Sequence, residues 1–293
     1  MVIKVAYPGG AAAHSAAAAE RLFPGDNELV SLETFADVVE AAASGSVAYG
    51  VLPIENSLAG PVAETHDLLY DARLSIVAET SLAIRHHLVA RGPLAESDIR
   101  IIRSHPVALE QCRKLLGRLN GIRAIAASTT ADAAAQVAQS DTPGEAAIAS
   151  DRAAAIYGLE VIEHDVGDHP EAFTRFVSIA THTRIDRERD DWRTAFSFVT
   201  DHRAGALHGA IEPFARHGLD LVQLVSRPIP HSPFKYRFDA VLAGHPLEST
   251  TRAAFAEVRT RVRDLRVLGS YPAWQETEAG SADVSTGAVC ERS

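Results

Sequence analysis

The chain of 293 residues contains few of the residues that hold small secreted or metal-bound folds together. It has two cysteines, Cys112 and Cys290, one methionine and two tryptophans. Cys112 falls within a helical pattern and Cys290 within a polar terminal segment, so the pair predicts neither a disulfide nor a zinc site. The 13 histidines are scattered along the chain. We therefore expect no metal ion and no cofactor.

The sequence also lacks long apolar runs and an excess of basic residues. No segment approaches the roughly 20 apolar residues that span a bilayer. The opening residues MVIKVAYPGG enter a strand directly, without the apolar core of a signal peptide. The net charge of −10 and the isoelectric point near 5.7 are unfavourable for binding nucleic acid or an anionic membrane. We expect a cytoplasmic protein that binds neither of these partners.

Strand-like and helical patterns alternate over the first 180 residues. The predicted strands are 2–6, 47–52, 74–82, 101–103, 124–126, 146–149 and 176–180, and the clearest helices are 35–43, 108–119 and 131–138. This alternation predicts an α/β fold with a largely parallel sheet.

A charged stretch, residues 181–193, interrupts the alternation and predicts a linker. After it comes a β-α-β-β-α-β series that is typical of a ferredoxin-like α+β domain. Its predicted elements are 194–200, 207–216, 220–227, 236–242, 251–262 and 265–269. Residues 274–293 are small and polar and predict a disordered tail.

Hydroxyl and amide side chains recur where predicted strands end and helices begin. They are Asn56, Ser57, Ser104, Ser128, Thr129, Thr130 and Thr174, the last followed by Arg175. A single serine or threonine at such a place is usually a helix N-cap. Several of them, next to helix N-termini, favour a small anionic ligand. The segment PGGAAAHS (8–15) has only a glycine pair, so it is a weak candidate for a dinucleotide fingerprint.

Several motifs, taken in order, resemble a known family. They are Asn56-Ser57 with Gly60, Thr65 and Asp67, then Ser104-His105-Pro106, Thr174-Arg175-Phe176, Gly205-Ala206-Leu207, Ser226-Arg227-Pro228 and Leu268-Gly269-Ser270-Tyr271-Pro272. Together they resemble the prephenate dehydratases, which carry a C-terminal ACT regulatory domain. The resemblance implies a catalytic region of two α/β lobes like type II periplasmic binding proteins, with lobe 1 at about 1–77 and 160–180 and lobe 2 at about 78–159. It also implies an ACT domain over 194–273 and a homodimer or homotetramer.

The resemblance also implies roles for individual residues. Thr174 would assist departure of the hydroxyl group of prephenate. The substrate would be contacted by Asn56, Ser57, Ser104, Ser128, Thr129, Thr130, Arg175, Phe176, His14 and Ser15. Arg175 would hold a carboxylate, and Phe176 would pack beneath the site. L-Phenylalanine, as effector, would bind at Gly205, Ala206, Leu207, Ser226 and Arg227.

Two departures from the family pattern leave alternatives open. Ala13 and His14 stand where the family usually has threonine and phenylalanine, and Val225 stands where it usually has glutamate. The first change leaves room for a prephenate decarboxylase that keeps the hydroxyl, or for an inactive protein that binds a small anion. The retained Thr174 favours the dehydratase. The second change predicts weakened inhibition by phenylalanine.

Overall fold

The computed structural model describes residues 2–119, 121–183, 191–229, 232 and 235–275. The strands in this part of the chain are β1 Lys4–Pro8, β2 Glu28–Leu32, β3 Tyr49–Asn56, β4 Gly60–Pro61, β5 Ser75–Ala83, β6 His87–Ala90, β7 Ile101–Ser104, β8 Arg123–Ala126, β9 Glu145–Ala149, β10 Glu160–Glu163, β11 Phe173–Ala180, β12 Trp192–Val199, β13 Leu221–Pro228, β14 Tyr236–Ala243 and β15 Arg263–Pro272. The α-helices are α1 His14–Leu22, α2 Phe35–Ala43, α3 Ala63–Asp71, α4 Pro106–Glu110, α5 Arg113–Arg118, α6 Thr130–Gln139, α7 Asp151–Tyr157, α8 Ala206–Arg216 and α9 Ser249–Arg259. None of these helices is long and apolar enough to cross a membrane.

The first lobe is built on one end of a ten-stranded sheet. Its strands follow the order β5, β11, β3, β1, β2, with the short β4 paired to β3. Strands β1, β2 and β3 are parallel, and β11 inserts antiparallel between β3 and β5. Alanines of α1 pack against Tyr7 and Phe176 on one face of this sheet, and valines of α2 pack on the other. The apolar spacing of both helices is that of a sheet-covering amphipathic helix.

The second lobe has its own five-stranded sheet, in the order β10, β6, β9, β7, β8. The two-lobed α/β fold predicted from the sequence is therefore confirmed. The chain crosses between lobes after Ala83 and again after Glu163, slightly later than the expected positions 77 and 159. The reason is strand pairing, because β5 stays beside β11 up to Ala83 and β10 pairs with β6.

The predicted single helix over 108–119 is two helices in the structure. Helix α4 ends at Glu110, and Cys112 leaves helical geometry with φ −122° and ψ 35°. The carboxylate of Asp168 then accepts hydrogen bonds from the backbone N–H groups of Arg113 and Lys114, at 3.0 and 3.1 Å. An acceptor from a distant part of the chain thus begins a new helix where local periodicity favours one continuous helix.

The C-terminal domain has the predicted ferredoxin-like order β12, α8, β13, β14, α9, β15. Its strands lie in the spatial order β13, β14, β12, β15. Helices α8 and α9 cover one face of this sheet over an aromatic core of Phe196, Phe198, Phe214 and Phe255. Most of the predicted linker, residues 184–190, and the tail from 276 onward lie outside the described residues.

The two sheets join edge to edge, so that the C-terminal domain extends the sheet of lobe 1. Strand β15 pairs with β5 in parallel through Gly269 and Ile76. A Cβ atom at position 269 would lie 2.1 Å from the carbonyl oxygen of Ile76, and Gly269 has a φ of +153°. Only glycine allows so close an approach of two backbones.

Candidate active site

A cleft of about 380 Å³ lies between the two lobes. Its size is typical of a small-molecule site. Predicted site residues that line it are His14, Ser15, Asn56, Ser128, Thr129, Thr130, Thr174 and Phe176. Phe176 is only 2% exposed and belongs to the core beneath α1, as the sequence led us to expect. The cleft therefore collects polar side chains from segments more than 100 residues apart.

Thr174 and Asn56 lie side by side on the antiparallel strands β11 and β3. The Oδ1 atom of Asn56 accepts hydrogen bonds from the backbone N–H groups of Leu58 and Ala59, at 3.0 and 2.8 Å. This fixes the amide orientation, because Nδ2 must then point to the Thr174 hydroxyl, 3.0 Å away. The threonine oxygen accepts this bond, so its own hydrogen can be donated to a ligand.

Two helix N-termini contribute to the cleft, one from each lobe. In lobe 2, the N-cap Thr129 accepts a hydrogen bond from the backbone of Asp132 at 2.9 Å, and Ser128 bonds the Asp132 carboxylate. In lobe 1, α1 begins at His14 without any capping side chain. Exposed N–H groups at helix starts favour anions. The cleft can thus hold an anion at each side.

Two predicted substrate contacts, Ser57 and Ser104, do not line the cleft. Ser104 is fully buried and donates a hydrogen bond to the carbonyl oxygen of Ile148, 2.7 Å away. Ser57 accepts a hydrogen bond from the backbone of Phe173 at 2.9 Å and so secures the start of β11. Each hydroxyl serves the backbone beside the cleft in this structure, and contact of either serine with substrate stays a prediction.

Arg175 also points away from the cleft. Neighbouring side chains of a strand lie on opposite faces, and Thr174 and Phe176 occupy the cleft face. The Arg175 guanidinium lies 3.7 Å from the carboxylates of Glu55 and Glu79, on the side that faces the C-terminal domain. Arg175 therefore does not line the cleft, and its expected contact with a substrate carboxylate stays a prediction.

Four polar residues that line the cleft were not among the predicted contacts: Glu33, His86, His105 and Gln111. His86 lies where the chain crosses between lobes, and its Nε2 atom is 2.9 Å from Oε1 of Gln111. His105 caps α4 by accepting a hydrogen bond from the backbone N–H of Val107, and it also lines the cleft. Adjacent histidines at a strand end were the only sequence signal for His86.

Burial keeps the cleft histidines neutral near pH 7. Burial, followed by charge repulsion from His86, lowers the pKa of His14 to about 4, while Asp151 opposes this change and Arg152 adds to it. Burial also lowers the pKa of His86, against the opposing effect of its hydrogen bond to Gln111. A neutral imidazole carries one N–H donor and one acceptor nitrogen, and in His86 the Nε2 atom is already bonded to Gln111.

The predicted effector residues are divided between two faces of the C-terminal sheet. Gly205 caps α8 with φ +77°, directly before Ala206 and Leu207. Ser226 is exposed on β13 opposite Phe238, whereas Val225 and Arg227 lie opposite Asp239 and Arg237.

The face that carries Arg227 packs against helix α3 of lobe 1 in a charged seam. Asp67 accepts hydrogen bonds from Arg227 and Arg237, at 2.7 and 2.8 Å. Asp239 is bonded by His66 at 3.1 Å and also by Arg237 at 3.2 Å. The seam therefore ties the C-terminal domain to the helix that follows Asn56.

Two α/β lobes around a polar cleft, with a ferredoxin-like domain on the edge of one lobe, define a two-lobed α/β protein with a cleft of small-molecule size between its lobes. The chain matches the family model for prephenate dehydratase over residues 5–184. It belongs to the prephenate dehydratase family.

Relatives span both domains. The arogenate dehydratase/prephenate dehydratase 2 of Arabidopsis thaliana is 36% identical over 279 residues, which cover 92% of this chain and 73% of the relative. The crystal structure of prephenate dehydratase from Arthrobacter aurescens in complex with L-Phe has a TM-score of 0.85 at 29% identity, covering 92% of this chain and 90% of that one. A chain described as GqqA, a novel type of quorum quenching acylase, has a TM-score of 0.81 at 30% identity, covering 92% and 97%.

Proposed function

We propose that this chain is a prephenate dehydratase that converts prephenate to phenylpyruvate, CO₂ and water in phenylalanine biosynthesis. The observation that carries the proposal is the Thr174 hydroxyl, which Asn56 holds in the cleft with its hydrogen available to a ligand. Relatives named as prephenate dehydratases support the same reaction.

The chemistry requires a donor at the leaving oxygen. The bond between ring carbon C1 and its carboxylate breaks, the electron pair enters the ring, and the C4 hydroxyl departs as an aromatic ring forms. Hydroxide is a poor leaving group unless a hydrogen bond or proton reaches it. Thr174 supplies a fixed hydrogen-bond donor to the departing hydroxide, which takes up a proton from solvent and leaves as water. The helix starts at His14 and Thr130 supply dipoles for the carboxylates.

The test is product analysis with the purified full chain. Prephenate should give phenylpyruvate, seen by its ultraviolet absorbance, and one CO₂. Release of CO₂ without an aromatic product would instead identify the non-aromatising decarboxylase. Saturable binding without turnover would identify an inactive anion-binding protein. Arogenate, which carries an amino group in place of the side-chain keto group, should be tested in parallel because a relative is named for both activities.

The proposal extends to regulation and assembly. We assign a catalytic region up to residue 180 and an ACT domain over 194–273 that binds L-phenylalanine, as the ligand of the Arthrobacter structure suggests. A homodimer or homotetramer is supported by β13, which ends the ten-stranded sheet and exposes Val222 and Leu224 at 40% and 39%. Light scattering of the purified chain tests the assembly. The cytoplasmic location expected from the sequence remains a prediction.

A further inference from the structure

The cleft lacks the cations that a dicarboxylate substrate would ordinarily require. Among the described residues that line it there is neither lysine nor arginine, and Glu33 adds an acidic group. Helix dipoles contribute only about half a charge each. A prephenate dianion in this cleft therefore needs a further source of positive charge.

We propose that His14 and His86 together bind one carboxylate of the substrate, and that this binding takes up a proton from solvent onto the pair. The inference rests on the proposed function, because prephenate is the anion concerned. His14 enters the cleft from the uncapped start of α1 and His86 from the segment that links the lobes.

The tautomer of His86 explains why a proton is needed. Its Nε2 atom donates to Oε1 of Gln111 at 2.9 Å, so in the neutral ring the hydrogen lies on Nε2 and Nδ1 carries only a lone pair. Nδ1 is buried and has no hydrogen-bond partner among the described residues, and the whole residue is 5% exposed. A carboxylate oxygen cannot bind a lone pair. Protonation makes Nδ1 a donor and gives the ring a positive charge.

The surroundings of the pair favour this change when an anion arrives. The charged and titratable groups near His14 are His86, Asp151 and Arg152, and His87 adjoins His86. Glu33 and His105 line the same cleft. Without ligand, burial keeps both rings neutral, and repulsion from His86 at His14 and from His87 at His86 adds to this effect. A bound carboxylate reverses the sign of the local field and stabilises one imidazolium.

The test is the pH dependence of steady-state kinetics with prephenate. In the wild-type chain kcat/KM should fall by up to about tenfold per pH unit between about pH 6 and about pH 8, because the proton needed for binding becomes scarcer. His14→Phe restores the usual residue of the family and should raise KM about tenfold or more near pH 6, since a hydrogen bond to a charged group is lost. Its kcat/KM should also lose most of the pH dependence.

Two further variants distinguish the loss of a titrating histidine from a change in the packing of the cleft. His14→Gln and His86→Gln keep a neutral hydrogen-bond donor in the cleft and should bind prephenate with an affinity that changes little with pH. His208→Phe makes the same replacement at an exposed histidine of α8 and should leave the profile unchanged when phenylalanine is absent. A wild-type profile that is flat, or a profile that both glutamine variants retain, would overturn the inference while leaving the dehydratase reaction in place. Absence of any turnover would contradict the proposed function instead.

Discussion

The carboxylate of Asp67, on helix α3 of lobe 1, binds the guanidinium of Arg227, on strand β13 of the C-terminal domain, with Oδ2 2.7 Å from Nη2. The same helix is tied to the strand that carries Asn56, because the Thr65 hydroxyl donates to the carbonyl oxygen of Pro53 at 2.6 Å. A short series of contacts therefore joins the C-terminal sheet to the strand of Asn56, which donates a hydrogen bond to Thr174. Spatial continuity alone does not establish coupling, so the contacts need individual tests.

Asp67→Asn should lower the free energy of unfolding by about 1 kcal/mol, since charged hydrogen bonds to Arg227 and Arg237 are weakened at a half-exposed site. Urea denaturation measures the change. Asp71→Asn, at the exposed end of the same helix, is the matched control and should have little effect. Equal destabilisation by both variants would show that Asp67 acts only through helix charge.

The stability difference between the wild type and Asp67→Asn should depend on pH. Burial by itself raises the pKa of Asp67, but hydrogen bonds from Arg227 and Arg237 outweigh it and hold the pKa below the ordinary value of 3.8. A depressed pKa stabilises the fold above the unfolded-state value, and this contribution is lost as pH falls through the folded-state pKa. Denaturation at a series of pH values should show the difference shrinking below about pH 4. A constant difference would contradict the role of the ionised carboxylate.

Asn56→Asp should lower kcat by about tenfold to a hundredfold although Thr174 is still present. The new carboxylate oxygen accepts where the amide donated, so the threonine hydroxyl turns its hydrogen away from the substrate. Thr174→Ala should cost at least as much, whereas Thr174→Ser keeps the hydroxyl and should retain most activity. Initial rates with prephenate separate kcat from KM. Unchanged kcat in Asn56→Asp would exclude hydroxyl orientation as the cause.

Local pattern was enough to predict most of the fold, and tertiary contacts explain the differences. The β-α-β-β-α-β order of the C-terminal domain follows from hydrophobic periodicity and is confirmed. The break near Cys112 depends on Asp168, which no local pattern reveals. Thr174 and Asn56 were predicted as site residues from the resemblance of their motifs to the family, and both line the cleft. Because side chains alternate along a strand, Arg175 points away from the cleft once Thr174 points into it. The burial of Ser104 depends on strand β9, whose Ile148 accepts its hydrogen bond.

Arg175→Gln should reduce stability rather than affinity for prephenate. Glu79 is buried and ion-paired with Arg193 at 2.8 Å as well as with Arg175. Removal of one partner leaves a buried carboxylate less well compensated, which lowers the melting temperature by several degrees. KM for prephenate should change less than about threefold, because the side chain does not reach the cleft. A tenfold rise in KM at unchanged stability would restore Arg175 as a substrate contact.

Val225→Glu should increase the sensitivity of the chain to phenylalanine. In the wild type Val225 lies opposite Asp239 and on the face of Arg227. The two carboxylates of this face, Asp67 and Asp239, are already bound to arginines, so the wild type has no additional carboxylate here for the effector's ammonium group. An effector inhibits only if it binds two states of the protein differently. We therefore expect weak inhibition of the wild type and stronger inhibition of the variant. Val267→Glu, at an exposed valine of β15, is the matched control. Inhibition of activity and calorimetric binding of phenylalanine should be measured together. Strong inhibition of the wild type would mean that a glutamate at position 225 is dispensable. Tight binding of phenylalanine without inhibition would mean that the effector is recognised but that its binding does not change the activity.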